Sequence, residues 1–248
     1  MDIFHREKLL YEVRTNFEHY QVFDMIYEGR YARVLFSGKK EAAFSGMPLD
    51  GGNDMLFDYI QRMYELVATV RPSSLLMIGG GAYTLPITLI RSLPDIQIDV
   101  VEIDPGLDDI AEGFFGLKAN PRLKIIHADG EEFLKKNKSK YDMIIVDAFT
   151  NLEVPSSLAK NSVIKLLSKR LNKDGVVAMN IISAYLGRRS EVIRKFYGVY
   201  SKNFDHTTIY PADTTISLWT PQNFILIAQD GDQKSEYGLR FGAMGSPV

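Results

Sequence analysis

The chain predicts an α/β fold in which a mostly parallel, seven-stranded sheet carries helices on both faces, preceded by a small N-terminal β-hairpin element. Three observations lead there. From residue 74 onward, short Val- and Ile-rich runs alternate with amphipathic runs of helical period. The first of those strands runs into three glycines, LLMIGGGAYTLP at 75–86, and the next three end in acidic residues. Before residue 53 the chain instead carries short β-like runs punctuated by Gly29, Gly38 and Gly46. Residues 1–52 are therefore expected to form the hairpin element and 53–248 the α/β domain.

In chain order, VRTNFEHYQVFDMIY, RYARVLFSG and EAAFSGMPLDGG read as strands of the N-terminal element. MLFDYIQRMYELVATV is helical, because Leu56, Tyr59, Ile60, Met63, Leu66 and Val67 recur at helical spacing, with Asn53 or Asp54 as the expected N-cap. SLLMIGG is a strand, and TLPITLIRSL a helix that tolerates Pro86 in its first turn. IQIDVVEID, LKIIHAD, YDMIIVDAF and GVVAMNII are the next strands. The helices LDDIAEGFFG, EEFLKKN and SLAKNSVIKLLSKRL fall between them, and RRSEVIRKFYGVYSKN follows. HTTIYPA and NFILIAQ, joined by a loop with Trp219 and Pro221, close the sheet with one antiparallel strand. Strands alternating with helices imply a mostly parallel sheet covered on both faces.

Composition narrows the function classes. The 248 residues are 46% hydrophobic and 24% charged, with a formal net charge of −2, which argues against a basic nucleic-acid-binding surface. Cys is absent, which removes disulfides, thiolate-ligated zinc and a thiol nucleophile. His5, His19, His127 and His206 are scattered and never paired at i, i+4, so no metal site is expected. MDIFHREKLLYEVR lacks a signal-peptide pattern, and no apolar run approaches bilayer length. The expectation is a cytoplasmic protein without a membrane partner.

Ligands of open α/β sheets sit beyond the carboxyl ends of the strands, where strand order reverses. Four consecutive strands here end in Gly79-Gly80-Gly81, Glu102-Ile103-Asp104, Asp129-Gly130 and Asp147. Glycines let backbone approach a ligand closely. Glu102 falls about 20 residues beyond the glycines, the offset of an acid that accepts from ribose hydroxyls. Asp129 is placed to accept from an exocyclic amine such as that of adenine. Asp147, between IIV and Phe149, is expected to be partly desolvated near a reaction centre. Each position also has an ordinary reading: a tight turn, a solvated strand end, an N-cap. The glycines are contiguous, with Thr84 three after Gly81, so the G-x-G-x-x-G spacing of a pyrophosphate cradle is missing. Carboxylates would repel a pyrophosphate. A compact nucleoside without phosphates, such as S-adenosylmethionine, suits this ring better than nicotinamide or flavin dinucleotides.

Together these segments resemble spermidine synthases and the wider aminopropyltransferase-like branch of the Rossmann-like methyltransferase fold. IGGGAY at 78–83 is similar to that family's I-G-G-G-D-G, VVEIDPG at 100–106 to V-E-I-D-P, and HADGEEFL at 127–134 to D-G-x-x-F-L/V. YDMIIVDAF at 141–149 is similar to Y-D-V-I-I-x-D-S, and HYQVFDMIYEGRYARVLFSG at 19–38 to the N-terminal hairpin. The resemblance implies that Gln21, Gly79, Gly80 and Gly81 contact the nucleoside, Glu102 the ribose, and Asp129 with Gly130 the adenine. It implies that Asp147 is catalytic and helps deprotonate an amine that displaces methylthioadenosine from decarboxylated S-adenosylmethionine. Tyr83, Phe149 and Thr150 are expected beside the acceptor. The implied partners are a small-molecule amine and further copies of the chain, as a homodimer or higher homo-oligomer. Phe17, Tyr20, Phe23, Tyr27 and Tyr31 then belong either to the subunit interface or to the hairpin's own core.

The chain also departs from the pattern. Ala82 replaces the Asp after the glycines, Asp147-Ala148-Phe149-Thr150-Asn151 replaces D-S-x-D-P, and Phe57-Asp58-Tyr59 aligns with Y-H-E. Up to three carboxylates that would balance a polyamine's charge are lost. The D-A-F…V-P-x-x-L version at 147–158, with Asn180 ending the next strand, looks like a bacterial spermidine-synthase-like group. Asp58, Glu153 and Tyr185 are either alternative substrate contacts or surface and packing residues. Methyl transfer to a small molecule and a non-catalytic nucleoside-binding role stay open beside aminopropyl transfer.

Overall fold

The computed structural model describes residues 7–38, 40, 42–52, 55–149 and 155–231. Two sheets make up the chain. The N-terminal one is antiparallel, in order β1-β2-β3-β4: β1 Lys8–Arg14, β2 His19–Tyr27, β3 Arg30–Ser37 and β4 Ala42–Pro48. It has one strand more than the sequence suggests, because VRTNFEHYQ turns at Thr15, whose hydroxyl accepts from the N–H groups of Phe17 and Glu18. Gly29 and Gly38 occupy turns at positive φ as expected, but Gly46 sits inside β4, where a Cβ would strike Leu56.

The second sheet has seven strands in the order β10-β11-β9-β8-β5-β6-β7. They are β5 Ser74–Ile78, β6 Gln97–Glu102, β7 Leu123–His127, β8 Tyr141–Val146, β9 Leu171–Ser183, β10 His206–Pro211 and β11 Gln222–Gln229. Only β11 runs against its neighbours. Side chains along each strand point alternately to opposite faces, and the two faces feed two different cores. Leu75, Met77, Ile98, Val100, Met143 and Ile145 join one cluster with α1 Asp58–Val70, α2 Thr84–Ser92 and α3 Gly106–Ile110. Leu76, Ile78, Val101, Ile144 and Val146 join the other with α4 Gly130–Lys136, α5 Asn161–Lys169 and α6 Glu191–Tyr200. Tyr20, Val22 and Leu35 of the N-terminal sheet pack into the first cluster, so the two sheets share a core.

Helix boundaries follow local chemistry. Helix α1 begins at Asp58 with no side-chain cap, and Asn53 and Asp54 lie outside the described residues. It stops at Arg71, which turns left-handed just before Pro72. Pro86 is in the first turn of α2, where its missing N–H costs nothing. The run SLAKNSVIKLLSKRL is not one helix: Lys160 is extended and separates a 3₁₀ turn, Ser156–Ala159, from α5. No helix among the described residues is long and apolar enough to cross a membrane.

Candidate active site

Strand order reverses at β5, whose successor β6 lies on one side and β8 on the other. The carboxyl ends of β5 and β8 therefore open a crevice. It has two adjoining lobes of about 730 Å³ and about 200 Å³, which share Gly81, Glu102, Asp147 and Phe149 as walls. The smaller lobe is completed by Asp129, Gly130, Pro155 and Leu158, and the larger by residues of β4, α1 and the β10–β11 loop.

Asp147 stands between the lobes, directly after β8. Its Oδ1 accepts a hydrogen bond from Asn180 Nδ2 at 2.9 Å, and Asn180 Oδ1 accepts from Asn223 Nδ2 at 3.0 Å. Desolvation pushes the carboxyl up to about 6, and the Asn180 bond opposes that rise. Tyr59 of α1 faces it; burial first, then the Asp147 charge, raises the Tyr59 phenol above its usual value. A carboxyl poised near neutral pH in a cleft is suited to accept a proton.

Glu102 is 6% exposed and ends β6 with both oxygens engaged: Oε2 accepts from the Gly80 N–H at 2.7 Å and Oε1 from the Asp104 N–H at 3.0 Å. Burial raises its carboxyl while these backbone donors pull it down. Glu102 thus shapes the glycine turn as well as lining both lobes. The glycines are packed against protein as closely as against the cleft. Gly79 has a φ of +91°, and a Cβ on it would collide with the Asp147 carbonyl. A Cβ on Gly81 would come within 2.6 Å of Ser45 Oγ, which also accepts from the Ala82 N–H at 2.9 Å. Strand β4 is thereby stapled to the turn.

The other candidates fall into three groups. Phe149 lines both lobes, and Thr150 lies outside the described residues, as do Asn151 and Glu153. Asp129 caps α4, accepting from the Glu132 N–H at 2.9 Å, and still borders the smaller lobe with Gly130. Three do not reach the cleft. Gln21 points to the opposite face of β2 from Tyr20 and donates to Glu12 on β1 at 3.1 Å, because adjacent strand residues alternate. Tyr83 is fully buried and donates to Asp108 Oδ1 at 2.6 Å, so it packs the α2 turn instead of meeting an acceptor. Tyr185 packs on Phe224 with ring centroids 5.9 Å apart. Of the hairpin aromatics, Tyr20 and Phe23 are buried and Phe17 is 52% exposed.

Several cleft residues escape a reading by motif. The larger lobe carries seven carboxylates, Glu18, Glu28, Asp58, Glu102, Asp104, Asp147 and Asp213, and no Lys, Arg or His among its described lining residues. Asp58 is raised by burial and then by the Asp213 charge, which sets these two near each other at the mouth. Gln222, 7% exposed, donates to the Ile216 carbonyl and leaves Oε1 without a partner among the described residues. Asp213 follows the carboxyl end of β10, on the ligand side of the sheet, so its position was open to inference. Asn223 was not, because it arrives at the cleft only through the reversal of β11. Among the described residues, no group of three or more His, Asp or Glu is arranged to hold a metal ion.

Comparison with known proteins bears on this crevice. The family model for the spermine/spermidine synthase domain matches residues 59–216. A polyamine aminopropyltransferase of Vibrio vulnificus (strain CMCP6) is 26% identical over 187 residues, 73% of this chain and 60% of that protein. The human eEF1A lysine and N-terminal methyltransferase is 26% identical over 141 residues, 52% of this chain and 20% of its own length. The chain thus spans less than two thirds of these relatives' length. In fold, it is similar to a probable spermidine synthase from Corynebacterium glutamicum ATCC 13032, with a TM-score of 0.75 at 17% identity, covering 90% of this chain and 81% of that one. Human methyltransferase-like protein 13, solved with SAH, gives a TM-score of 0.60 at 21% identity, covering 71% and 84%.

Proposed function

The chain belongs to the spermine/spermidine synthase family, and from that premise we propose that its cleft transfers an aminopropyl group from decarboxylated S-adenosylmethionine to a cationic amine. The observation that carries this reading is the charge of the lining: carboxylates crowd both lobes, and no described lining residue is basic. A polyamine-like acceptor finds compensating charge there, with Asp58 and Asp213 standing in for carboxylates absent from the Asp147 loop. Ordinary S-adenosylmethionine brings an α-carboxylate that meets acids and no basic residue among the described lining. The decarboxylated form lacks that carboxylate and keeps only its cationic sulfonium and ammonium.

In this reading the nucleoside lies in the smaller lobe, against Gly130, Phe149, Glu102 and Asp129. The acceptor enters through the larger lobe. Its neutral nitrogen attacks the propyl carbon attached to the sulfonium, the C–S bond breaks, and the electron pair leaves with sulfur as neutral methylthioadenosine. The proton released from the new secondary ammonium passes to Asp147. The protein supplies orientation and a base, and no covalent intermediate is required.

Calorimetry with S-adenosylmethionine, its decarboxylated form and methylthioadenosine, followed by mass spectrometry of diamine incubations, tests the proposal. The decarboxylated form and methylthioadenosine should bind, and a product heavier by one aminopropyl unit should accumulate. Absence of binding to all three nucleosides sinks it. Tighter binding of the carboxylated form, with methylated product, would replace it by methyl transfer.

A further inference from the structure

We propose that Asn180 and Asn223 form a carboxamide relay that positions Asp147 for proton abstraction, acting on the reaction only through that carboxylate. The proposal rests on the aminopropyl transfer assigned to this cleft. Three neighbouring strands contribute one member each: Asn223 lies at the start of β11, Asn180 in β9, and Asp147 follows β8. The chain of donors runs one way, from Asn223 Nδ2 to Asn180 Oδ1 at 3.0 Å and from Asn180 Nδ2 to Asp147 Oδ1 at 2.9 Å.

Direction is what gives the relay its effect. Asn180 is 1% exposed, and its amide can face Asp147 with either its NH₂ or its carbonyl. The carbonyl would repel a carboxylate. The Asn223 donor, bonded to that carbonyl, holds the NH₂ end toward Asp147. Oδ1 of Asp147 is thereby committed and its rotation fixed, which leaves Oδ2 for the amine.

The relay also decides the charge state. The titratable groups sharing the cleft with Asp147 are acids or phenols: Tyr59 of α1, Glu102 of β6, and Asp58, Asp213, Glu18, Glu28, Asp104, Tyr20 and Tyr27 in the larger lobe, with Asp129 and Glu131 in the smaller. Among the described residues the Asn180 amide is the group that favours the ionised form against desolvation. Two asparagines bonded only to each other would be structural filler; ending on the cleft carboxylate, they govern its basicity.

The test is a ¹³C carboxyl NMR titration of Asp147 in the unliganded full chain, assigned with Asp147→Asn. The wild-type midpoint should fall at about 6. Asn180→Ala should raise it by about one pH unit, the worth of a hydrogen bond to a charged group. Asn223→Leu should raise it by less and shift the Asn180 side-chain amide resonances. The double variant should titrate with Asn180→Ala, because Asn223 has no route to Asp147 once Asn180 is gone. An unmoved midpoint in Asn223→Leu, or shifts that add in the double variant, overturns the relay. Asn223 is half-buried, so Asn223→Leu decides the matter even where Asn180→Ala fails to fold. In turnover, the acid limb of kcat should move with the midpoint while nucleoside affinity stays constant. If no aminopropyl transfer occurs, the proposed reaction fails, while the titration still decides the relay.

Discussion

Asp147 combines a functional demand with a cost in stability. Its folded pKa, about 6, lies above the ordinary 3.8, so between those values the native state holds more protons than the unfolded chain. Stability therefore falls as pH rises through that window and stays reduced above it, by up to about 3 kcal/mol. Asp147→Asn keeps the hydrogen-bonding shape and removes the charge. It should abolish aminopropyl transfer yet raise the melting temperature at pH 8 by several degrees, with the gain vanishing near pH 3.5, as calorimetry at the two pH values will read. An unchanged melting temperature at pH 8 would mean that the carboxylate is solvated. Motif and flanking residues marked Asp147 as a candidate, and Asn180 as the end of the next strand, but the pairing of Asn180 with Asn223, 43 residues further on, was not legible.

At the scale of elements, the turn from β5 into α2 is tightly constrained by packing. Gly79 needs a left-handed φ and has the Asp147 backbone against its α-carbon, so Gly79→Ala combines conformational strain with a steric clash. A loss of more than about 2 kcal/mol is expected in urea unfolding, together with loss of nucleoside binding. A near-neutral variant would show that β8 yields freely. The same turn carries the difference between a motif and its use. Three consecutive glycines signal close approach, but the sequence does not say to what, and here the neighbours are Asp147, the Tyr83 ring and Ser45. Gln21 and Tyr83 show the complementary effect. Strand alternation puts Tyr20 inward and Gln21 outward, and the left-handed turn at Tyr83 folds its ring under the glycines.

For the whole molecule, the net charge of −2 conceals how unevenly acids are distributed. Seven of them line one lobe. A dicationic acceptor should therefore bind more weakly as salt screens the cleft, its KM rising several-fold from about 0.05 M to about 0.5 M NaCl, and Asp213→Asn should flatten that dependence. Equal slopes for dicationic and monocationic acceptors would rule out the acidic lining as the source of acceptor affinity. The alternation of strand and helix, the seven-stranded sheet with its one reversed strand, and the acids at strand ends were all legible in the sequence, because hydrophobic period and strand termini are local properties. Only the tertiary structure decided which acids share a cavity, that β4 closes over the glycine turn, and that β11 delivers Asn223 to Asp147. Those outcomes depend on strand order and direction, which bring together residues far apart in the chain and which no local pattern encodes.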